Sequence, residues 1–177
     1  SLTIAALLCL SCVTTTTRLH AIDASQLGMS ELQSEADSLV NQGDLIGAMP
    51  LLKELIIRVE ASSKSEIKLD FPIFLVGTAY IQSFVATNNP GELNEALKWY
   101  DRLETDYPGS YKLKGALLKK VAVLRLLKRE PEAIALMKKL LSGVYRFKLN
   151  PKESNQLLKD LTQIYYNKAA WKEGLPI

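Results

Sequence analysis

Imidazole and thiol groups, the most versatile ligands and nucleophiles, number three in this chain: His20, Cys9 and Cys12. All lie within residues 1–21, so from Ile22 onward no His or Cys is available. A structural zinc site needs about four converging N or S ligands. Ser-His-Asp and Cys-His catalysis need an imidazole beside the nucleophile. Neither can be assembled after Ile22. Carboxylate pairs remain, Glu92/Glu95 and Glu130/Glu132. Glu92/Glu95 follow Pro90 and Glu130/Glu132 flank Pro131, each a proline that can open a helix, and negative charge in a first turn complements the helix dipole. That placement favours a structural role over general acid–base work. Gly43, Gly47, Gly77 and Gly91 stand singly, so no phosphate-cradling loop is present. Lys119-Lys120, Lys128-Arg129 and Lys138-Lys139 are basic pairs without a clustered aromatic platform, which argues against nucleic acid. An anionic lipid surface suits them better. No catalytic residue, metal or cofactor is expected.

What remains must position a surface. The 177 residues are 47% hydrophobic, enough for one domain with a substantial core. The net charge is only +3 but unevenly placed. Ile22 to Asp70 holds nine acidic and four basic residues, whereas Tyr111 to Lys148 holds two acidic and eleven basic. One half can present an acidic face and the other a basic one.

The beginning of the chain has its own character. Leu2 to Val13 is apolar but shorter than the roughly 20 residues that span a bilayer. A threonine run, Thr14 to Thr17, follows, and Leu19 and Ala21 suit the −3 and −1 places of a signal-peptidase site. Residues 1–21 read as part of an export signal cleaved after Ala21, residues 22–29 as a linker, and 30–177 as the folded domain. Cys12 could be a lipidated residue with Ser11 at −1, although Cys9 and Leu10 stand where leucine and a small residue are usual. Membrane association would then come through a lipid anchor.

From Ser30 the apolar residues recur at three and four, the helical period, and no alternating strand run appears. Asn89-Pro90 and Asn150-Pro151 place an N-cap before a proline at the first helical position; Asp70 near Pro72 and Glu130 before Pro131 suggest the same. Helices are expected near 30–42, 45–61, 71–87, 91–106, 111–128, 131–146 and 151–168. Pro50 would break the second, which should start later, near Ala48, or kink.

Three hairpins carry a common pattern. Ala48, Ala96 and Ala133 align as the small residue of a second helix. Around them fall Leu32, Ala36, Leu39, Leu52 and Leu55; Ile73, Val76, Gly77, Tyr80, Tyr100, Leu103 and Pro108; and Leu117, Lys120, Val121, Leu124, Met137 and Leu140. Leu158, Leu161 and Tyr165 would begin a fourth unit, and the chain reads as cut at both ends. The pattern resembles the tetratricopeptide repeat, a helix–turn–helix of about 34 residues. The run Tyr100 to Ser110, with its Tyr107-Pro108-Gly109-Ser110 turn and following Lys-rich helix, resembles exported bacterial members. These include the outer-membrane assembly lipoproteins of the β-barrel machinery and the periplasmic partner of the Tol-Pal system.

The resemblance implies an all-α solenoid of about three and a half repeats, located in the periplasm or at the outer membrane. It also implies a concave groove that binds a protein or peptide partner. The groove positions fall on Gln33, Asp37 and Asn41; Phe74, Thr78 and Ile81; Leu118, Ala122 and Arg125; and Lys159, Gln163 and Tyr166. A chaperone-tail clamp would want Lys and Asn where Gln33 and Asp37 stand, so that ligand is not expected. Two other readings stay open: a repeat segment of a larger secreted peptidase or cell-wall hydrolase, and a cytosolic adaptor.

Overall fold

Short polar side chains beside prolines and left-handed residues at helix ends divide the chain into helices. The structure, a computed structural model, describes residues 23–62 and 67–173, with side chains as far as 169. The expected export signal, with Cys9, Cys12 and His20, and residues 174–177, lie outside the described residues. A 3-10 turn, Ala24–Gln26, precedes seven α-helices among the described residues. They are α1 (Met29–Asn41), α2 (Leu45–Ala61), α3 (Asp70–Thr87), α4 (Pro90–Asp106), α5 (Leu113–Leu126), α6 (Glu130–Leu141) and α7 (Pro151–Glu173). The chain is all-α, as its periodicity predicts, with no strand among the described residues.

The helix starts show the local chemistry. Asn89 accepts a hydrogen bond from the Gly91 N–H at 3.0 Å, with Pro90 at the first position of α4. Asn150 and Glu153 form a reciprocal capping box at α7: Asn150 Oδ1 accepts from the Glu153 N–H at 2.8 Å, and Glu153 accepts from the Asn150 N–H at 2.7 Å. Gly43, at φ 81°, turns the chain between α1 and α2, and Asp44 accepts from the Gly47 N–H at 2.8 Å. That cap starts α2 at Leu45, earlier than Pro50 suggested, and the helix runs on through Pro50. The proline removes one bond, to Ile46, and both residues lie on the exposed side where water can reach the freed carbonyl.

Other expected boundaries move for identifiable reasons. Asp70 and Glu130 are first-turn residues, not N-caps; Leu69 and Arg129 occupy those places. Asp70 instead accepts a hydrogen bond from the Ser110 hydroxyl at 2.6 Å, tying α3 to the turn before α5. α6 stops at Leu141, short of 146, because Gly143 adopts φ 71°. Residues 23–28, expected as linker, are held in place: the Arg58 guanidinium on α2 donates to the Leu27, Ala24 and Ser25 carbonyls.

Consecutive helices pack on one another along the whole chain, and α3 also meets α5. The three anchor alanines, Ala48, Ala96 and Ala133, are completely buried. Two adjoining apolar clusters result, and α4 serves both. Ala96, Tyr100 and Leu103 join the cluster of α1–α3. Leu93 and Leu97 join the cluster of α5–α7. Between α3 and α4, Tyr100 lies against Gly77: a Cβ added at Gly77 would sit 2.7 Å from Tyr100 Cε1. Tyr100 is fully buried, its ring tilted against Phe74 at 6.3 Å and its hydroxyl 3.2 Å from the Thr78 hydroxyl.

In α7 two of the three expected core positions are displaced by one residue, while the third, Leu161, packs against the α5–α7 cluster. Leu157 and Ile164 are buried, while Leu158 and Tyr165 are 48% and 46% exposed. Adjacent apolar pairs, Leu157-Leu158 and Ile164-Tyr165, offer two helical phases, and packing on α6 selects the first.

Two alanine substitutions separate these packing environments. Gly77→Ala should destabilise the fold by about 1–2 kcal/mol, overpacking outweighing the gain in helix propensity. Gly115→Ala, whose new Cβ would meet Phe74 at an ordinary 3.6 Å, should stabilise it by about 0.5–1 kcal/mol. Urea unfolding midpoints give both signs.

Candidate functional site

The residues assigned to a binding groove are distributed over four surfaces, with Leu118 turned toward the core. On α1, Gln33, Asp37 and Asn41 line a shallow depression with Ser30, Ser34 and Ser38. This surface is entirely polar, because the apolar stripe of α1, Leu32, Ala36 and Leu39, is buried. On α3, Phe74, Thr78 and Ile81 are half-buried. Thr78 is tied inward, donating to the Phe74 carbonyl at 3.0 Å and facing the Tyr100 hydroxyl. Ile81 packs against both apolar clusters. The Phe74 ring lies under the Lys112 ammonium, 5.5 Å from its centroid, with Phe71 at 4.4 Å and Tyr111 at 4.7 Å from the same ammonium.

On α5 and α7 three of the six expected residues come together. Ala122, Arg125 and Gln163 line one cleft of about 500 Å³, together with Leu126, Glu130, Ile164 and Asn167. Ion pairs frame it. Arg125 meets Asp160 at 2.7 Å, and Lys168 meets Glu130 at 3.5 Å. Lys114 and Glu153, at 3.1 Å, join α5 to the start of α7. Along one wall the Gln163 amide donates to Asn167 at 2.6 Å. Leu126, 57% exposed, supplies an apolar edge. Lys159 and Tyr166 lie on a separate exposed face of α7, with Asn155, Leu158 and Thr162; Gln163 borders both. Leu118 is half-buried against the α5–α7 core.

The cleft includes Leu126, Glu130, Ile164 and Asn167, which the repeat alignment did not select. Leu126 carried a signal: it is apolar but lies off the buried stripe of α5. The others belong to the one-residue shift of α7 and to the α6 entry.

A second feature escaped the alignment. Lys120 occupies a place where the repeat pattern wants a large apolar side chain. Its ammonium, only 17% exposed, meets Asp101 at 2.5 Å and Glu104 at 2.9 Å. The Tyr145 hydroxyl donates to Glu104 at 2.7 Å, and Lys139 approaches the same carboxylate at 3.9 Å. Burial works to raise the Glu104 carboxyl, but the Tyr145 hydroxyl and Lys120 outweigh it and hold it below its ordinary range. Burial likewise opposes the Lys120 charge, and Asp101 and Glu104 more than compensate. Tyr145 is pushed upward by burial and by its bond to Glu104.

The carboxylate pairs are also engaged. Glu95 pairs with Lys98 at 2.6 Å, and Glu132 receives both Arg129 nitrogens at 2.6 Å. Glu92 and Glu130 stand in first turns. Among the described residues no three His, Cys, Asp or Glu side chains gather as a metal site. No family model, curated protein or solved structure matches the chain.

The lowered Glu104 carboxyl fixes the sign of a pH effect. Its contribution is present above its unfolded value of 4.5 and is lost as pH falls through the lower folded value. Glu104→Gln should cost about 1–3 kcal/mol at neutral pH and flatten the acid limb of stability. Denaturant unfolding from pH 7 down the acid range checks this: wild type and variant should differ clearly at pH 7, and the difference should shrink as pH falls below 4.5.

Proposed function

We propose that this chain is a non-catalytic interaction scaffold of the bacterial cell envelope. It would be built as a tetratricopeptide-like stack of helical hairpins and would hold a protein or peptide partner at the cleft between α5 and α7. The observation that carries the reading is the cleft itself, lined by the apolar Ala122, Leu126 and Ile164 together with Arg125, Glu130, Gln163 and Asn167. A peptide segment needs that combination, apolar anchorage for affinity and a few polar groups for orientation. The serial packing of helices and the buried Ala48, Ala96 and Ala133 support the repeat architecture. The apolar Leu2 to Val13 stretch and the Leu19/Ala21 pair support export. The engagement of the carboxylate pairs in caps and ion pairs supports a role without catalysis.

Affinity capture with the exported protein as bait tests the site. Ala122→Arg, which fills the cleft, and Leu126→Asp should each weaken retention of a captured partner about tenfold or more, the effect of losing one central contact. Ile57→Asp, on the exposed side of α2 at 60% exposure, should leave retention unchanged. Equal capture by all four proteins would remove the cleft from the function.

A further inference from the structure

Between Glu132 and Glu153 the chain carries no acidic residue and five basic ones, Lys138, Lys139, Arg146, Lys148 and Lys152. All five are exposed. The carboxylates that bound this window are already occupied, Glu132 by Arg129 and Glu153 by Lys114 and the Asn150 N–H. Their charge therefore does little to quench the five cations. Arg146, Lys148 and Lys152 form no ion pair among the described residues, and Lys139 has only the distant, shared Glu104 carboxylate.

The segment between α6 and α7 displays two of these charges, Arg146 and Lys148, on a fixed platform, with Lys138 and Lys139 in the last turn of α6 and Lys152 at the start of α7. Along it burial alternates: Val144, Arg146 and Lys148 are exposed, whereas Tyr145, Phe147 and Leu149 are half-buried. Tyr145 and Phe147 stack at 5.2 Å with a 6° interplanar angle, and the Tyr145 hydroxyl is anchored on Glu104. The inner side chains pin the connection to the apolar cluster of α5–α7. The outer ones point the other way, with the tip turned by Gly143 at φ 71°.

We propose that this edge docks on an anionic lipid surface, with Val144 entering the headgroup boundary between the basic side chains. Val144 decides the class of partner. It is 66% exposed and sits between Lys139 and Arg146 in the chain. An apolar side chain at such a tip gains nothing from an acidic peptide or a phosphate backbone in water. It gains by leaving water at a bilayer interface, where flanking Lys and Arg meet lipid phosphates. The mode requires no cleft and no spanning helix, and it is independent of the partner cleft between α5 and α7.

Sedimentation of the full chain with sucrose-loaded vesicles tests the proposal. The protein should pellet with phosphatidylcholine vesicles containing phosphatidylglycerol and not with phosphatidylcholine alone, and added salt should release it. Arg146→Gln with Lys148→Gln should lower the partition coefficient by roughly 25-fold, about fivefold for each basic residue. Lys68→Gln, an exposed lysine outside the window, should lower it by less than either member of that pair. Val144→Gln should weaken vesicle binding while leaving retention on immobilised polyglutamate unchanged. Circular dichroism verifies that each variant is folded. Equal binding to both vesicle types, no loss in the double variant, or tight polyglutamate binding without vesicle binding would overturn the proposal; the last would assign the edge to an acidic protein.

Discussion

The contact between Gly77 and Tyr100 is the constraint around which the helices are arranged. A tyrosine ring against a helix backbone leaves no room for a Cβ at Gly77, so the ring fixes how α4 seats on α3. With the ring fixed, burial pushes the phenol upward, and its hydroxyl finds its partner in Thr78. α4 then has one face, Ala96, Tyr100 and Leu103, committed to the N-terminal cluster. Its other apolar residues, Leu93 and Leu97, are left to begin the C-terminal one. α4 thereby contributes to both cores, joined there by Ile81 of α3, which packs against each, and by Ala116 of α5, which lies in the first.

Toward the C-terminal helices the character of the packing changes. α1 to α4 are joined chiefly by apolar contact. α5 and α7 are instead bridged by Lys114–Glu153 and Arg125–Asp160, while Lys120, Glu104 and Tyr145 tie α4, α5 and the α6–α7 connection together. Ion pairs hold helices at a distance set by long side chains, where interlocking leucines would draw them in. The cleft beside Ala122 and Ile164 is a consequence. So is the fixed course of residues 142–150, since the aromatic anchor at Tyr145 needs the Glu104 carboxylate below it.

Much of this was legible in the sequence. Asn89-Pro90, Asn150-Pro151 and Gly43-Asp44 marked helix ends through local chemistry that tertiary packing did not overrule. Ala48, Ala96 and Ala133 marked the buried contacts because only small side chains suit them. Legibility failed where one pattern allowed two answers. Leu157-Leu158 and Ile164-Tyr165 permitted either phase of α7, and only packing on α6 could choose. Asp70 and Glu130 looked like caps, yet an acidic residue is as favourable one position later, inside the first turn. The candidate site was partly legible: Ala122, Arg125 and Gln163 meet, whereas Gln33, Asp37 and Asn41 lie on a separate polar surface and Thr78 is bonded inward. Lys120 in an apolar position was the one visible sign of the charged network, and its partners, far apart in sequence, could not be inferred from spacing.

The central claim is that a partner segment lies in the cleft between α5 and α7. Placing a photo-crosslinking amino acid singly at Ala122, Gln163 and Ile57 in the full chain tests it most directly. The account predicts one crosslinked partner common to Ala122 and Gln163, and none from Ile57. Crosslinks from Ile57 alone, or none from either cleft position, would contradict it.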